Sequence, residues 1–160
     1  GEEGMIAIHR DDPRLMLGYL DAPDATAARF RGDWFLTGDL GAMDQRGDII
    51  YLGRADDMMN AGGIRVSPIE VETVLNRHPA ITQSAVTDIE VKQDTRVIMA
   101  FYTASDKVDE TVLHSYVSDT LAAYKRPRAF IRLDTLPTGA NGKLLRRQLR
   151  PIYEALNGQA

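Results

Sequence analysis

Lys143 follows Gly142 at the end of the thin stretch Gly139-Ala140-Asn141-Gly142, and Leu144-Leu145-Arg146-Arg147 after it reads as the start of a helix. A lysine on a mobile loop tip can carry its ammonium into a site elsewhere, where a point charge suits a phosphate or carboxylate that gains charge in a transition state. The spacing is not that of a phosphate-cradling loop: the gap between the glycines is too short, and no Ser or Thr follows the lysine. An exposed lysine at a helix start fits the same residues. Asp39 lies in the run Trp34-Phe35-Leu36-Thr37-Gly38-Asp39-Leu40-Gly41. A carboxylate can accept from the two vicinal hydroxyls of a ribose, and the flanking glycines would let a ligand approach the backbone. A turn-forming aspartate is the other reading.

The stretch Gly53-Arg54-Ala55-Asp56-Asp57 adds a guanidinium and two carboxylates. Adjacent carboxylates converge poorly on one metal ion without further ligands. His9, His78 and His114 are scattered without ligand spacing, and no Ser-His-Asp arrangement is present. Tyr124-Lys125-Arg126-Pro127-Arg128 is a basic knot with a single aromatic. Nucleic-acid binding calls for more aromatics interleaved with charge, so no nucleic-acid partner is expected.

The whole chain has 160 residues, 44% hydrophobic and 26% charged, which fits a globular protein with one good core. There is no cysteine, so disulfides and thiolate metal sites are excluded, and a cytoplasmic location is expected. No apolar run is long enough to span a bilayer, and no membrane partner is expected. The net charge of −4 is uneven: eight basic and two acidic residues follow Tyr124. Such a tail suits an anionic partner or a solvated helix face. The chain opens Gly1-Glu2-Glu3-Gly4 without an initiator Met, and reads as a piece of something longer.

The elements that must position these residues follow from pattern. Met5–Ile8 and Ile49–Leu52 read as strands, and Asp21–Thr26 as turn chemistry. Gly53–Glu72 is loop-like in its middle, with Gly62-Gly63 before a short strand at Ile64–Val66. Ser67, Pro68 and Glu70 form a capping-box signature for a helix with Val71, Val74 and Leu75 on its apolar face, ended by Pro79. Ala85-Val86 lies in a strand, and Arg96–Thr103 and Ala129–Leu133 are strands. Val112, Leu113, Tyr116, Val117 and Leu121 recur at helical spacing. A last helix after Gly142 carries Leu145, Leu149, Ile152 and Leu156 on one face, kinked or broken near Pro151. The class is α+β, with a tight hinge near Arg54–Asp57.

In order, "GEEGMIAI", "GYLDAPDATAARF", "GDWFLTGDLG", "GDIIYLGRADDMMNAGGIRVSPIEVE" and "YKRPRAFIRLDTLPTGANGKLLRRQLR" closely resemble the C-terminal third of an AMP-forming acyl-CoA synthetase, in the adenylate-forming superfamily. The resemblance covers Gly1 to about Arg150. It implies that residues 1–54 are the β-rich end of a large N-terminal adenylation domain. Residues 55–160 would be the small C-terminal lid, a short antiparallel sheet flanked by helices. It implies that Asp39 binds the ribose hydroxyls of ATP, that Arg54 contacts the nucleotide and that Asp56 is the hinge. Lys143 would bridge the acyl carboxylate and the α-phosphate during adenylation. Gly62, Gly63 and Arg65 would enter the site for the second step. Gly63 would line the pantetheine tunnel, where a side chain would block the thiol; a turn needing positive φ fits Gly63 as well.

The reaction so implied is activation of a small-molecule carboxylic acid by ATP to an acyl-adenylate, then transfer to CoA with release of AMP. Thr138 stands where the family often has lysine, and so does Asn60. The phosphate loop, the adenine-stacking aromatic, the Mg2+ ligands and the acyl pocket belong to the family's N-terminal domain and are not among these residues, so the piece is expected to be inactive alone. Two other readings stay open: loading of a carrier-protein pantetheine, which "YKRPR" mildly disfavours, and a non-catalytic binding module. The acyl substrate and the oligomeric state are not legible.

Overall fold

The computed structural model describes residues 2–157, and the chain divides into two compact units, Gly1–Asp56 and Asp57–Ala160.

The first unit is organised by one long strand. In chain order it holds β1 (Glu2–His9), α1 (Pro23–Ala27), β2 (Phe30–Arg31), β3 (Trp34–Met43) and β4 (Ile49–Arg54). β3 pairs antiparallel with β1 along its length, with β2 at its start and with β4 at its end. The β3–β4 register shifts between Leu40 and Gly41, and just before that irregularity Asp39 stands directly opposite Arg54. Irregularities of this kind re-aim side chains beside a site. The segment read as turn chemistry overlaps the five-residue helix α1: Pro23 sits in its first turn, where a missing N–H costs nothing. Among the described residues of this unit, Phe35 is the buried large apolar side chain, while Leu17, Leu20, Ile49 and Ile50 are exposed.

The second unit has a covered sheet at its centre. A hairpin of β5 (Met59–Ala61) and β6 (Ile64–Val66) leads into α2 (Pro68–Leu75), followed by β7 (Gln83–Lys92), β8 (Thr95–Thr103), α3 (Glu110–Ser118), β9 (Ala129–Arg132) and α4 (Leu149–Asn157). The sheet order is β7-β8-β9. β8 reads Thr-Arg-Val-Ile-Met-Ala-Phe-Tyr-Thr, a nearly continuous apolar run, because both of its faces are buried. Ile98, Ala100 and Tyr102 join one cluster with Val71, Leu75, Leu113 and Val117 from α2 and α3. Met99 and Phe101 join a second cluster with Leu136 and with Leu149 of α4.

Several details depart from the sequence reading. β7 and β8 are antiparallel, but β9 runs parallel to β8, so the small sheet is mixed rather than wholly antiparallel. The chain between β8 and β9 contains α3 and a 3₁₀ turn at Ala123–Lys125, long enough for the crossover that a parallel partner requires. The expected capping box does not form. Ser67 occupies the N-cap of α2 without a side-chain cap bond, and Glu70 pairs with Lys125 instead. α2 ends at Leu75, before Pro79, and the residues expected to form a loop before Gly62 include strand β5. The last α-helix starts at Leu149 rather than after Gly142, behind a 3₁₀ turn at Arg146–Gln148. Pro151 therefore falls in the first turn of α4, where it neither kinks nor breaks the helix.

Candidate functional site

Within the first unit the structure brings Asp39, Arg54 and Asp56 together. Arg54 Nη1 donates to Asp39 Oδ1 at 3.2 Å and to the Thr37 carbonyl at 3.0 Å, and Arg54 Nε donates to Asp56 Oδ1 at 3.3 Å. Asp39 is oriented from its own backbone: the Thr37 hydroxyl accepts the Asp39 N–H at 3.0 Å and donates to the Ile6 carbonyl at 2.8 Å. Burial opposes the charge on Arg54, but Asp56 and Asp39 outweigh it and hold the guanidinium above its ordinary pKa. The Arg54–Asp39 pair is only about one-third exposed, so it is partly shielded from screening by salt.

Gly38 makes this arrangement possible. Its φ is +82°, and a Cβ there would lie 2.8 Å from Arg54 Nη2 and 3.2 Å from Arg29 Nη1. Two guanidinium groups thus close over a position without a side chain. Arg29, Gly38, Arg54 and Asp56 line a pocket of about 250 Å³ together with Met5 and Leu36. Sequence reading missed Arg29, whose place beside Gly38 depends on the strand pairing.

In the second unit Lys143 lies on a tight turn, not at a helix start. An isolated bridge joins Thr138 to Leu144, the Gly139 N–H donates to the Lys143 carbonyl at 2.8 Å, and the Leu145 N–H donates to the Pro137 carbonyl at 2.8 Å. Asn141 Oδ1 accepts the Lys143 N–H at 3.3 Å. The Lys143 side chain is exposed, and among the described residues its ammonium has no ion-pair or hydrogen-bond partner. The backbone is pinned while the charge is free.

Gly62 and Gly63 form the turn of the β5–β6 hairpin, with φ of +59° and +87°. Paired positive φ values are those of a two-residue hairpin turn whose twist matches its strands. A Cβ on either glycine would meet nothing within 4 Å, so the backbone angle alone accounts for glycine in this unit. Asn60 Oδ1 accepts the Gly63 N–H at 2.8 Å, which gives asparagine at position 60 a structural task that lysine could not perform. Arg65 pairs across the hairpin with Asn60 and is exposed.

Three residues beyond Lys143, Arg146 anchors an ion network that sequence reading missed. Arg146 donates to Asp57 Oδ2 at 2.8 Å, to both Glu72 oxygens at 2.7 and 2.8 Å, and to the Val86 carbonyl at 3.1 Å. Glu72 Oε1 also accepts the Val86 N–H at 2.8 Å. Burial pushes the Glu72 carboxyl up, opposed by Arg146. A signal was available: Pro68, Val71, Glu72 and Leu75 fall at i, i+3, i+4 and i+7 of α2, so a carboxylate shares the apolar face and calls for a cation. Asp88, a buried carboxylate, takes Arg96 at 2.9 Å, Arg150 at 2.7 Å and the Asn60 N–H at 3.3 Å.

The basic tail is largely spent inside the fold. Lys125 pairs with Glu70, Arg126 donates to the Ser118 and Leu121 carbonyls at the end of α3, and Arg132 reaches Asp134 and the Ala104 carbonyl. Among the described residues no group of three or more His, Asp or Glu side chains could hold a metal ion, and no helix is long and apolar enough to cross a membrane.

Residues 70–143 match the family model described as the AMP-binding enzyme C-terminal domain. A 2-succinylbenzoate–CoA ligase of Bacillus licheniformis is 38% identical over 149 residues, covering 93% of this chain and 31% of the ligase. A 4-chlorobenzoate–CoA ligase of an Arthrobacter species is 36% identical over 156 residues, covering 97% of this chain and 30% of that one. Among solved structures, the o-succinylbenzoate CoA synthetase of Bacillus subtilis in complex with its acyl-adenylate intermediate superposes with a TM-score of 0.86 at 38% identity, over 92% of this chain and 30% of that one. The chain thus spans about a third of the length of the curated relatives it matches.

Proposed function

We propose that this chain is the C-terminal part of an acid–CoA ligase that makes and then consumes an acyl-adenylate, a reading supported by the match of residues 70–143 to the family model described as the AMP-binding enzyme C-terminal domain. The observation that carries the reading is Lys143, whose ammonium has no partner among the described residues and whose backbone is pinned on a turn at the last matched position. In the first step a carboxylate oxygen attacks the α-phosphorus of ATP and the bond to pyrophosphate breaks. Lys143 offsets the charge shared by the attacking carboxylate and the α-phosphate, the kind of electrostatic aid that acts where charge is in transit. In the second step the CoA sulfur attacks the acyl carbonyl, and the bond to AMP breaks.

The remaining residues take roles that their geometry supports. Asp39, held by Thr37 and Arg54, presents a carboxylate to the ribose hydroxyls. Arg54 holds Asp39 in place and lies within reach of the nucleotide. Asp56 is the hinge, and it is the last residue of the first unit. Gly62, Gly63 and Arg65 form the hairpin that borders the pantetheine path. Small-molecule acid, ATP and CoA are the proposed partners, in a cytoplasmic setting.

The test is carboxylate-dependent exchange of pyrophosphate into ATP by the full-length chain. Lys143→Ala should lower it steeply, by two orders of magnitude or more, with thioester formation from supplied acyl-adenylate less affected. Undiminished exchange in that variant would remove the assignment. A phosphopantetheine-bearing carrier protein offered in place of CoA distinguishes the carrier-loading reading.

A further inference from the structure

Arg146 is the place where the Lys143 turn is fastened to the rest of its unit. It lies three residues beyond Lys143, and its side chain is 13% exposed. Its guanidinium spans three separate segments: Asp57, Glu72 on α2, and the Val86 carbonyl on β7. The first of these partners is the informative one. Asp57 is the residue immediately after Asp56 and the first of the second unit. Among the described residues only Arg146 bonds the Asp57 carboxylate, whereas Glu72 is also engaged by the Val86 N–H.

From this geometry we infer that Arg146 is a positioning residue for adenylation, coupling the start of the moving unit at Asp57 to the lysine turn so that rotation at Asp56 carries Lys143 without slack. The inference rests on the ligase reading and deepens it. A planar guanidinium is required because a single ammonium cannot hold a bidentate carboxylate, a second carboxylate and a carbonyl at once. The Leu145 N–H to Pro137 carbonyl bond closes the turn on the residue next to Arg146, so displacement of Arg146 is passed to the loop bearing Lys143. Glu72 and Val86 supply the fixed wall, and Asp57 supplies the link to the hinge.

The experiment uses the full-length chain and measures two half-reactions, pyrophosphate exchange and thioester formation from supplied acyl-adenylate. Arg146→Lys and Asp57→Asn are the variants; the second leaves the Arg146–Glu72 pair in place and guards against loss of fold. Each should lower exchange tenfold or more while changing thioester formation less than threefold. In a Lys143→Ala background, Arg146→Lys should add little to the loss of exchange, because the two act through one charge. Undiminished exchange by Arg146→Lys and Asp57→Asn, in an enzyme whose exchange depends on Lys143, overturns the inference alone. So does an equal loss of both half-reactions in Asp57→Asn, or full additivity with Lys143→Ala. Exchange that survives Lys143→Ala removes the underlying reading as well.

Discussion

The Arg54 guanidinium uses a single nitrogen, Nη1, to hold both the Asp39 carboxylate at 3.2 Å and the Thr37 carbonyl at 3.0 Å. That nitrogen fixes the carboxylate relative to the backbone of its own strand. Asp39 Oδ2 takes no part in that contact, and under the proposed ligase reading it is the oxygen offered to the ribose.

Asp39→Ala in the full-length chain should therefore weaken ATP binding by about 10- to 100-fold, the equivalent of losing hydrogen bonds to a charged acceptor. Isothermal titration with ATP measures it. Affinity within twofold of the parent would show that Asp39 serves the turn and not the nucleotide.

Gly63 separates two causes for the same residue. Alanine at φ +87° should cost the hairpin about 1–2 kcal/mol of strain. Asparagine tolerates that φ better, so Gly63→Asn should recover most of the stability. If the turn borders the pantetheine path, Gly63→Asn still slows thioester formation while pyrophosphate exchange persists. Recovery of both half-reactions along with stability would leave backbone conformation as the whole reason for glycine.

Asp88 and the partly buried Glu72 should titrate with opposite signs. Burial works against the charge of Asp88, yet hydrogen bonds from Arg96, Arg150 and the Asn60 N–H outweigh it and hold the group below its ordinary 3.8. Its folded pKa is lowered, so its contribution is complete above about pH 3.8 and is lost as pH falls through the folded value. Glu72 is pushed above its ordinary 4.5 by burial, so its contribution is complete below that value and lost as pH rises through the folded one. Asp88→Asn should flatten the acid limb of a plot of unfolding midpoint against pH. An unchanged acid limb would show that Asp88 titrates as it does in the unfolded chain.

Leu149 anchors α4 in the second apolar cluster and is fully buried. Leu149→Ala should destabilise the unit Asp57–Ala160 by about 2–5 kcal/mol, read from its urea midpoint at constant slope. A shift worth less than about 1 kcal/mol would mean that α4 is not fastened by this side chain.

Hydrogen exchange should separate the two units of the 160-residue chain. β7 and β8 carry buried side chains on both faces, whereas Phe35 alone among the large apolar residues described in the first unit is buried. Amides of β7 and β8 should exchange more slowly than those of β1 and β3. Equal protection would contradict this.

Much of the framework was legible residue by residue. The apolar run at Arg96–Thr103 lies in β8, the run at Ala129–Leu133 exceeds β9 by one residue, and Pro68 does open a helix whose Val71, Val74 and Leu75 are buried. These features depend on neighbours within a few positions, where side-chain spacing and backbone preference act directly. The motifs around Asp39, Arg54 and Lys143 were also visible as ordered strings. Helix propensity after Gly142, however, pointed to a helix at Lys143, and a bridge between Thr138 and Leu144 makes a turn there instead. The local signal gave way because the turn's backbone bonds are satisfied across the loop and α4 is held from Leu149 onward by packing against the sheet. Arg146 meets Asp57 across 89 residues of sequence. Which of several arginines would find that carboxylate was decided only by the sheet and α2 folding between them, since an ion pair depends on distance in space and the chain's own order carries no measure of it.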